Sequence, residues 1–417
     1  MLKTSLKLLG AAATVALLTN PALADEDGEY QAPLSIVVID QVQLNNVWSD
    51  MEVEIPGYAA DAVSTSTAVG NAAAGLITSG DIDLDVYQTL NANVGAENRI
   101  TGYAAGTVVG TTTAYGNSAT GGTWAGDNYY RAEQVSNGDV SASTTSDLEG
   151  AYQIATSTTA IANVSVPSDE YGTNRAFQYQ ESNGSVIAET DVEMCCDGKS
   201  ATFTTTAGAN AVSSTGLTST NFNGAVQIAA EGETVQSYSD VYMNDGHDVL
   251  VASTGFGNSA TVHNQYGYAT LGRDGSELYQ QNGSDIDAQT YVTLDHWSGY
   301  ASATAYGVGN SALISNSVSD TGLFANQDNS GQVYSQAQFN GQSTVDGTGI
   351  VSATSIGNAA TATLCNTCGD AALQGGVNQI NSGQVIARGQ AYVTNSGGVY
   401  GSATAVGNSA TFQSTGH

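Results

Sequence analysis

One short motif recurs through this 417-residue chain at a nearly fixed interval, and it restricts the available folds more than anything else in the sequence. Full copies are Ala68-Val69-Gly70-Asn71-Ala72, Ala114 through Ala119, Gly255 through Ala260, Gly307 through Ala312, Ser355 through Ala360 and Ala405 through Ala410. Two degenerate copies, Ala162-Asn163 and Ala209-Asn210-Ala211, fall in the gaps. The eight asparagines, Asn71, Asn117, Asn163, Asn210, Asn258, Asn310, Asn358 and Asn408, are then spaced 46, 46, 47, 48, 52, 48 and 50 residues apart. Self-similarity at such a period marks a repeat architecture, in which each unit buries its apolar face only against its neighbours.

Between the copies the pattern is that of strands. Runs such as Tyr300 through Tyr306 and Val385 through Val393 alternate small apolar with polar residues at period two, and Asn-Gly or Asn-Ser-Gly segments such as Asn137-Gly138 and Asn329-Ser330-Gly331 open the next run. No proline follows Pro167, as continuous strand pairing prefers. The expected fold is all-β: a parallel β-solenoid, or β-helix, of about eight repeats of ~48 residues, with each unit forming two coils or several strands stacked on the next. Inward positions read as Ala, Val, Ser and Thr, so the core is narrow and backbone ladders carry much of the stability.

Stacking gives the motif a physical reason. An amide side chain carries donor and acceptor, so asparagines lying one above another can bond along the axis as a structural ladder. The preceding Gly permits positive φ or close backbone approach. The competing reading is a set of exposed hairpin turns, where Gly and Asn are common; the Ala two places on and the apolar residue before Gly favour the ladder.

Lys3 and Lys7, an apolar run from Leu8 to Leu18 and Ala22-Leu23-Ala24 before Asp25-Glu26-Asp27 form the pattern of a cleavable signal peptide over residues 1–24. Residues 25–55 are then expected to be an N-terminal capping segment and 56–417 the repeat solenoid. The chain carries 39 Asp plus Glu against 8 Lys plus Arg, a net charge of −31. It should repel phosphate backbones, which excludes nucleic acid as a partner. The same charge keeps monomers apart until they are concentrated.

Candidate chemistry is sparse. Asp81-Ile82-Asp83-Leu84-Asp85 and Asp285-Ile286-Asp287 put carboxylates on one strand face. These suit a solvated face first, calcium ligation second and glycoside hydrolysis last. His247, His263, His296 and His417 lie scattered, without metal spacing. Six bases (Arg99, Arg131, Arg175, Lys199, Arg273 and Arg388) are few for neutralising an acidic sugar in a lyase. No enzyme activity, cofactor or metal is expected. Cys365 and Cys368 are the preferred disulfide; Cys195-Cys196 forms a vicinal or loosely held pair, with free thiols and a four-thiolate zinc site as alternatives. The aromatics of Trp124 through Tyr130 and of His296 through Tyr300 suit either sugar stacking or plugging of a thin core. The final motif is followed by little chain, so the last coil is expected to expose strand edges that invite another subunit.

Gly255 through Thr261 resembles the curlin repeat, with its Gly-x-x-Asn-x-Ala core, although curlin repeats are about half as long and carry flanking Gln where this chain has Ser253 and Asn264. The acidic Gly/Ser/Thr/Ala-rich chain and segments such as Ser402 through Ala410 resemble the holdfast attachment protein D family of stalked alphaproteobacteria. That resemblance implies an exported protein at the cell surface and outer membrane that anchors an adhesive (holdfast) polysaccharide. It further implies related anchor proteins and the chain itself as partners, and export through a curli-like outer-membrane pore. A curli-like amyloid fibre subunit and a calcium-dependent surface adhesin are the alternatives.

Overall fold

The computed structural model describes residues 12–19, 34–273, 277–341, 347–365 and 371–415. Among them there is no helix; the chain is all-β, built of long parallel ladders as a β-solenoid. Of the expected leader, residues 1–11 and 20–24 lie outside the described residues. Strand β1 (Ala12–Thr19) pairs antiparallel with β2 (Leu34–Gln43), and every other pairing among the described strands is parallel. Of the expected capping segment, residues 25–33 are outside the described residues, while 34–55 pair in the same register as the strands that follow.

Each coil has three sides. One side is a short strand: β2, then β4 (Asp81–Leu90), β6 (Asn128–Ser136), β8 (Thr173–Ser182) and β10 (Thr220–Ala229). The other two are the halves of a bent long strand: β3 (Val47–Ile77), β5 (Val94–Ala125), β7 (Val140–Tyr171) and β9 (Val186–Leu217). After β9 the bend becomes a break, and the two halves separate as β11 (Thr234–Gly246) and β12 (Asp248–Gln265), both still paired to β9. The next coil is β13 (Ala269–Leu271) with β14 (Leu278–Asn282), then β15 (Asp285–Trp297) and β16 (Tyr300–Ser317). It is followed by β17 (Thr321–Asn329), β18 (Val333–Gly341) and β19 (Thr348–Cys365), and by β20 (Leu373–Asn381), β21 (Val385–Val393) and β22 (Gly398–Thr415). Asn71 pairs with Asn117 and Asn117 with Asn163, so one sequence unit is one coil and not two. Of the two expected arrangements, two coils per unit gives way to several strands per unit stacked on the next, because the long sides contain few turn signals.

Alternation decides what goes inside. In β4 every second residue is buried: Ile82, Leu84, Val86, Gln88 and Leu90, while the aspartates between them face outward. The interior is mostly Ala, Val, Ser and Thr, as expected, but one corner is fatter. There Met194, Phe203, Met243, Leu294, Trp297 and Phe339 join a single apolar cluster. Trp297 is 3% exposed and meets Phe339 edge-on, with ring centroids 5.2 Å apart. Gly341 and Gly347 leave the room it occupies, since a Cβ at either would come within 2.6 Å of the indole. Trp297 is therefore a core plug, while His296 and Tyr300 of the same segment are exposed. Trp124 differs: it is 54% exposed, stacked edge-on against Tyr171 at the rim of a surface trough that also includes Leu76, Glu170 and Leu217.

Truncating Trp297 to Ala empties the widest part of a thin core and should lower stability by about 3–5 kcal/mol. Trp124→Ala should stay within about 0.5 kcal/mol. Urea unfolding followed by far-UV circular dichroism checks both; equal losses would show that the plug carries no special weight.

Candidate functional site: paired amide ladders and an uncovered last coil

The eight motif asparagines lie on one line along the axis. Asn71 Nδ2 donates to Asn117 Oδ1 at 2.8 Å, Asn117 to Asn163 at 2.8 Å, and Asn163 to Asn210 at 2.8 Å. The series runs on through Asn258, Asn310 and Asn358 to Asn408 at 2.8–2.9 Å, each donating toward the C-terminal neighbour. The second amide hydrogen crosses the interior to a carbonyl of the short strand, as from Asn117 to Val135 O at 3.0 Å and from Asn310 to Asp328 O at 2.8 Å. Each amide from Asn117 through Asn358 is thus bonded up, down and across, and from Asn71 through Asn358 all are buried. The Gly before Asn serves close approach: at Gly257 and Gly309 a Cβ would lie 2.6 Å from the next coil's backbone oxygen.

A second column faces the first, and the motif reading missed it. Gln88 Nε2 donates to Gln41 Oε1, Gln134 to Gln88 and Gln180 to Gln134, each at 2.8 Å. Gln227, Gln280, Gln327 and Gln379 continue the column at 2.7–2.9 Å. Here the donor points toward the N-terminal neighbour, opposite to the asparagines. The spare hydrogen of each Gln reaches the carbonyl of the residue after the motif Asn: Ser118, Val164, Ala211, Ser259, Ser311, Ala359 and Ser409. Two amide columns of opposite polarity therefore stitch the short side of every coil to the facing long side, and their aligned dipoles cancel.

Hydroxyls form a third line. Thr112, Thr144, Thr158, Thr190, Thr205, Ser239, Ser253 and Thr290 connect Oγ to Oγ at 2.6–2.9 Å inside the core. A hydroxyl both donates and accepts, so such a line leaves few polar atoms orphaned. Shorter amide columns are Asn128–Asn174–Asn221 and Asn282–Asn329–Asn381, the latter from Asn282-Gly283 and the Asn-Ser-Gly segments at Asn329 and Asn381.

The corner acids also have structural partners. Asp81 Oδ1 accepts the Asp127 N–H at 2.8 Å, Asp127 accepts that of Thr173, Asp139 that of Ser185, and Asp285 that of Gln332. Each carboxylate caps the backbone of the coil above. Among the described residues no three His, Cys, Asp or Glu side chains are grouped as a metal site requires. His247 pairs with Asp248 at 2.9 Å, His296 lies 3.8 Å from Asp245, and His263 is exposed; His417 lies outside the described residues. Cys195 and Cys196 are exposed thiols with sulfurs 2.6 Å apart, and this contact pushes the Cys195 thiol up to about 11. Cys365 is a free thiol at the end of β19; Cys368, its expected partner, is outside the described residues.

One acid is misplaced by ordinary rules. Asp169 points inward, 1% exposed, and neither carboxyl oxygen has a hydrogen-bond partner of good geometry. Burial, then the Asp127 charge, pushes its pKa from 3.8 up to about 7.

The last coil differs from all those before it. In β19, Val351, Ala353, Ser355, Ala360 and Ala362 are at most 1% exposed. The residues stacked on them in β22, Gly401, Ala403, Ala405, Ala410 and Phe412, are all exposed. Among the described residues nothing lies over this cross-section of the core. A family model described as holdfast attachment protein D matches residues 57–330, more than half of the chain. The chain belongs to the holdfast attachment protein D family. That family's role is holdfast attachment, which sets the chain's work at the cell surface. No curated protein and no solved structure matches the chain.

Two outcomes test this geometry. Asn310→Ala removes an acceptor from Asn258 and a donor from Asn358 and Asp328, and should cost about 3–5 kcal/mol, whereas the outward Asn326→Ala should cost about 0.5 kcal/mol or less. Equal losses in chemical denaturation would remove the ladder's energetic role. For Asp169 the folded state holds its proton to higher pH than the unfolded chain. Folding is favoured below the unfolded pKa, and that advantage is lost as pH rises through about 7. Asp169→Asn should therefore raise the melting temperature by a few degrees at pH 8 and leave it unchanged at pH 4, as scanning calorimetry would record.

Proposed function

We propose that this chain is an exported structural subunit that holds an adhesive polysaccharide to the outer membrane, by docking on partner proteins or on further copies of itself. The observation that carries this reading is the last coil, which offers an open strand edge and an uncovered core at one end of a rod bonded along its whole length. Pulling two coils apart along the axis loads every backbone ladder bond and both amide columns of that coil together, so the rod resists tension as one element. A force-bearing link needs such a body and an end that joins to something else.

The family supports the attachment role, and the signal-peptide pattern supports delivery across the inner membrane, with a curli-like pore as the route through the outer one. No catalysis enters the reading; of the acids on the strand faces of Asp81 through Asp85 and Asp285 through Asp287, Asp81 and Asp285 are engaged as backbone acceptors. The net charge of −31 disfavours nucleic acid and keeps the exported chains soluble until they meet at the surface.

Deleting the chain should leave synthesis of the adhesive unchanged while cells shed it under shear, measured as polysaccharide in the wash against polysaccharide on the cells. Full retention under shear would overturn the anchor role.

A further inference from the structure

The two ends of the solenoid carry opposite halves of the same bonds. At the tail, Asn408 Nδ2 has no asparagine ahead of it and makes one contact of 3.4 Å to Gln379 O. Gln379 spends both of its amide hydrogens, on Gln327 and on Ser409 O, so its free polar atom is the acceptor Oε1 that every earlier Gln offers to the next. At the head the polarity is reversed. Asn71 Oδ1 is a buried acceptor with no partner. Gln41 donates to Ala72 O and has one amide hydrogen left, the one that every later Gln gives to its predecessor. A head laid on a tail completes both columns. Two tails laid together set Asn donors against Asn donors.

Charge and shape follow the same polarity. Residues 34–77 carry Asp40, Asp50, Glu52, Glu54 and Asp61 and no Lys or Arg, whereas residues 371–415 carry Arg388 and no acid. In a chain of net charge −31, the tail is the one end that does not repel a head. Register adds a direct pairing. Val47, Val94, Val140, Val186, Val235, Ile286, Val333 and Val385 stack in turn. One further step in that register sets Val47 of a second copy on Val385, and hence Asp50 on the outward-facing Arg388. The same step sets Asn71 on Asn408, Gln41 on Gln379 and the small Gly75 on the exposed Phe412.

We propose that the uncovered last coil receives the first coil of a second copy of this chain, head to tail, so that the amide columns run on across the junction. The inference rests on the docking role proposed above and gives it a partner and a direction. A head-to-tail contact does not close on itself, so assembly yields rods of increasing length. The inward side chains of the first coil, Ser64, Ser66, Ala68 and Asn71, are covered in this structure, and β1 lies along the β2 edge that a tail would pair with. Strand β1 falls inside the segment that reads as a leader; head-to-tail joining requires that its removal during export uncover both that edge and the inward side chains of the first coil, so assembly waits until the chain is outside.

Sedimentation velocity on the chain as cells export it, over a range of concentrations, tests the proposal. Wild type should form a ladder of masses without an upper limit. Ala410→Lys places a long charged side chain on the open face, at a position already exposed, and should abolish self-assembly. Because its head is intact, a small fraction of this variant mixed into wild type should cap growing rods and shorten them. Arg388→Glu and Asp50→Arg should each raise the concentration for half-assembly about threefold, and together in one chain should restore it. A monomer at all concentrations, a limit at dimers, assembly by Ala410→Lys, or no rescue by the paired swap would overturn the proposal. The two readings fail separately: cells carrying Ala410→Lys that still retain their adhesive under shear, while deletion cells shed it, would leave the anchor standing without head-to-tail growth.

Discussion

Two facing columns of side-chain amides, one donating forward and one backward, hold this molecule together. The pairing solves a problem set by composition. A coil lined with Ala, Ser, Thr and Val buries little apolar area, so hydrophobic transfer alone cannot fix one coil on the next. Amides buried in such a core would be costly if unpaired, and paired in columns they become the register device instead. A slip of one residue would break every bond in both columns and also turn each inward side chain outward. Opposite donor directions cancel the dipole that a single long column would build up along the axis.

From this constraint follow the other features. At Gly257 and Gly309 the amide column brings successive backbones so close that a Cβ would lie 2.6 Å from the next coil's oxygen, whereas Ala162 and Ala209 hold the same place in two other coils. Acids collect at the corners because each carboxylate caps the coil above, as Asp127 does for Thr173. The fatter corner around Trp297 and Phe339 is where aromatic packing supplements the narrow core. The inward Asp169 is the exception, an acid in the interior without a column to join.

A column has ends, and the ends are where structure turns into function. Every interior coil satisfies its neighbour, so the middle of the rod is closed to partners through its axis. The final coil keeps the same face without a neighbour, and the attachment role of the family gives that face a use. Stability and docking thus draw on one set of bonds. The interaction that holds coil to coil within a chain is also the one available between chains.

Much of this was legible in the residues. The spacing of Asn71 through Asn408, the period-two runs and the absence of proline after Pro167 determine a parallel stack, because a side chain that recurs once per unit can meet its copy only if the units lie in register. The Gln column was equally present, at intervals of 47, 46, 46, 47, 53, 47 and 52 residues from Gln41 to Gln379, but it sits in changing contexts and has no flanking glycine to mark it. Tertiary structure alone decided the size of the coil, the opposition of the two columns and the inward turn of Asp169. These depend on where the long strands bend and on which residues of distant strands share an interior, distances through space that a linear spacing does not contain.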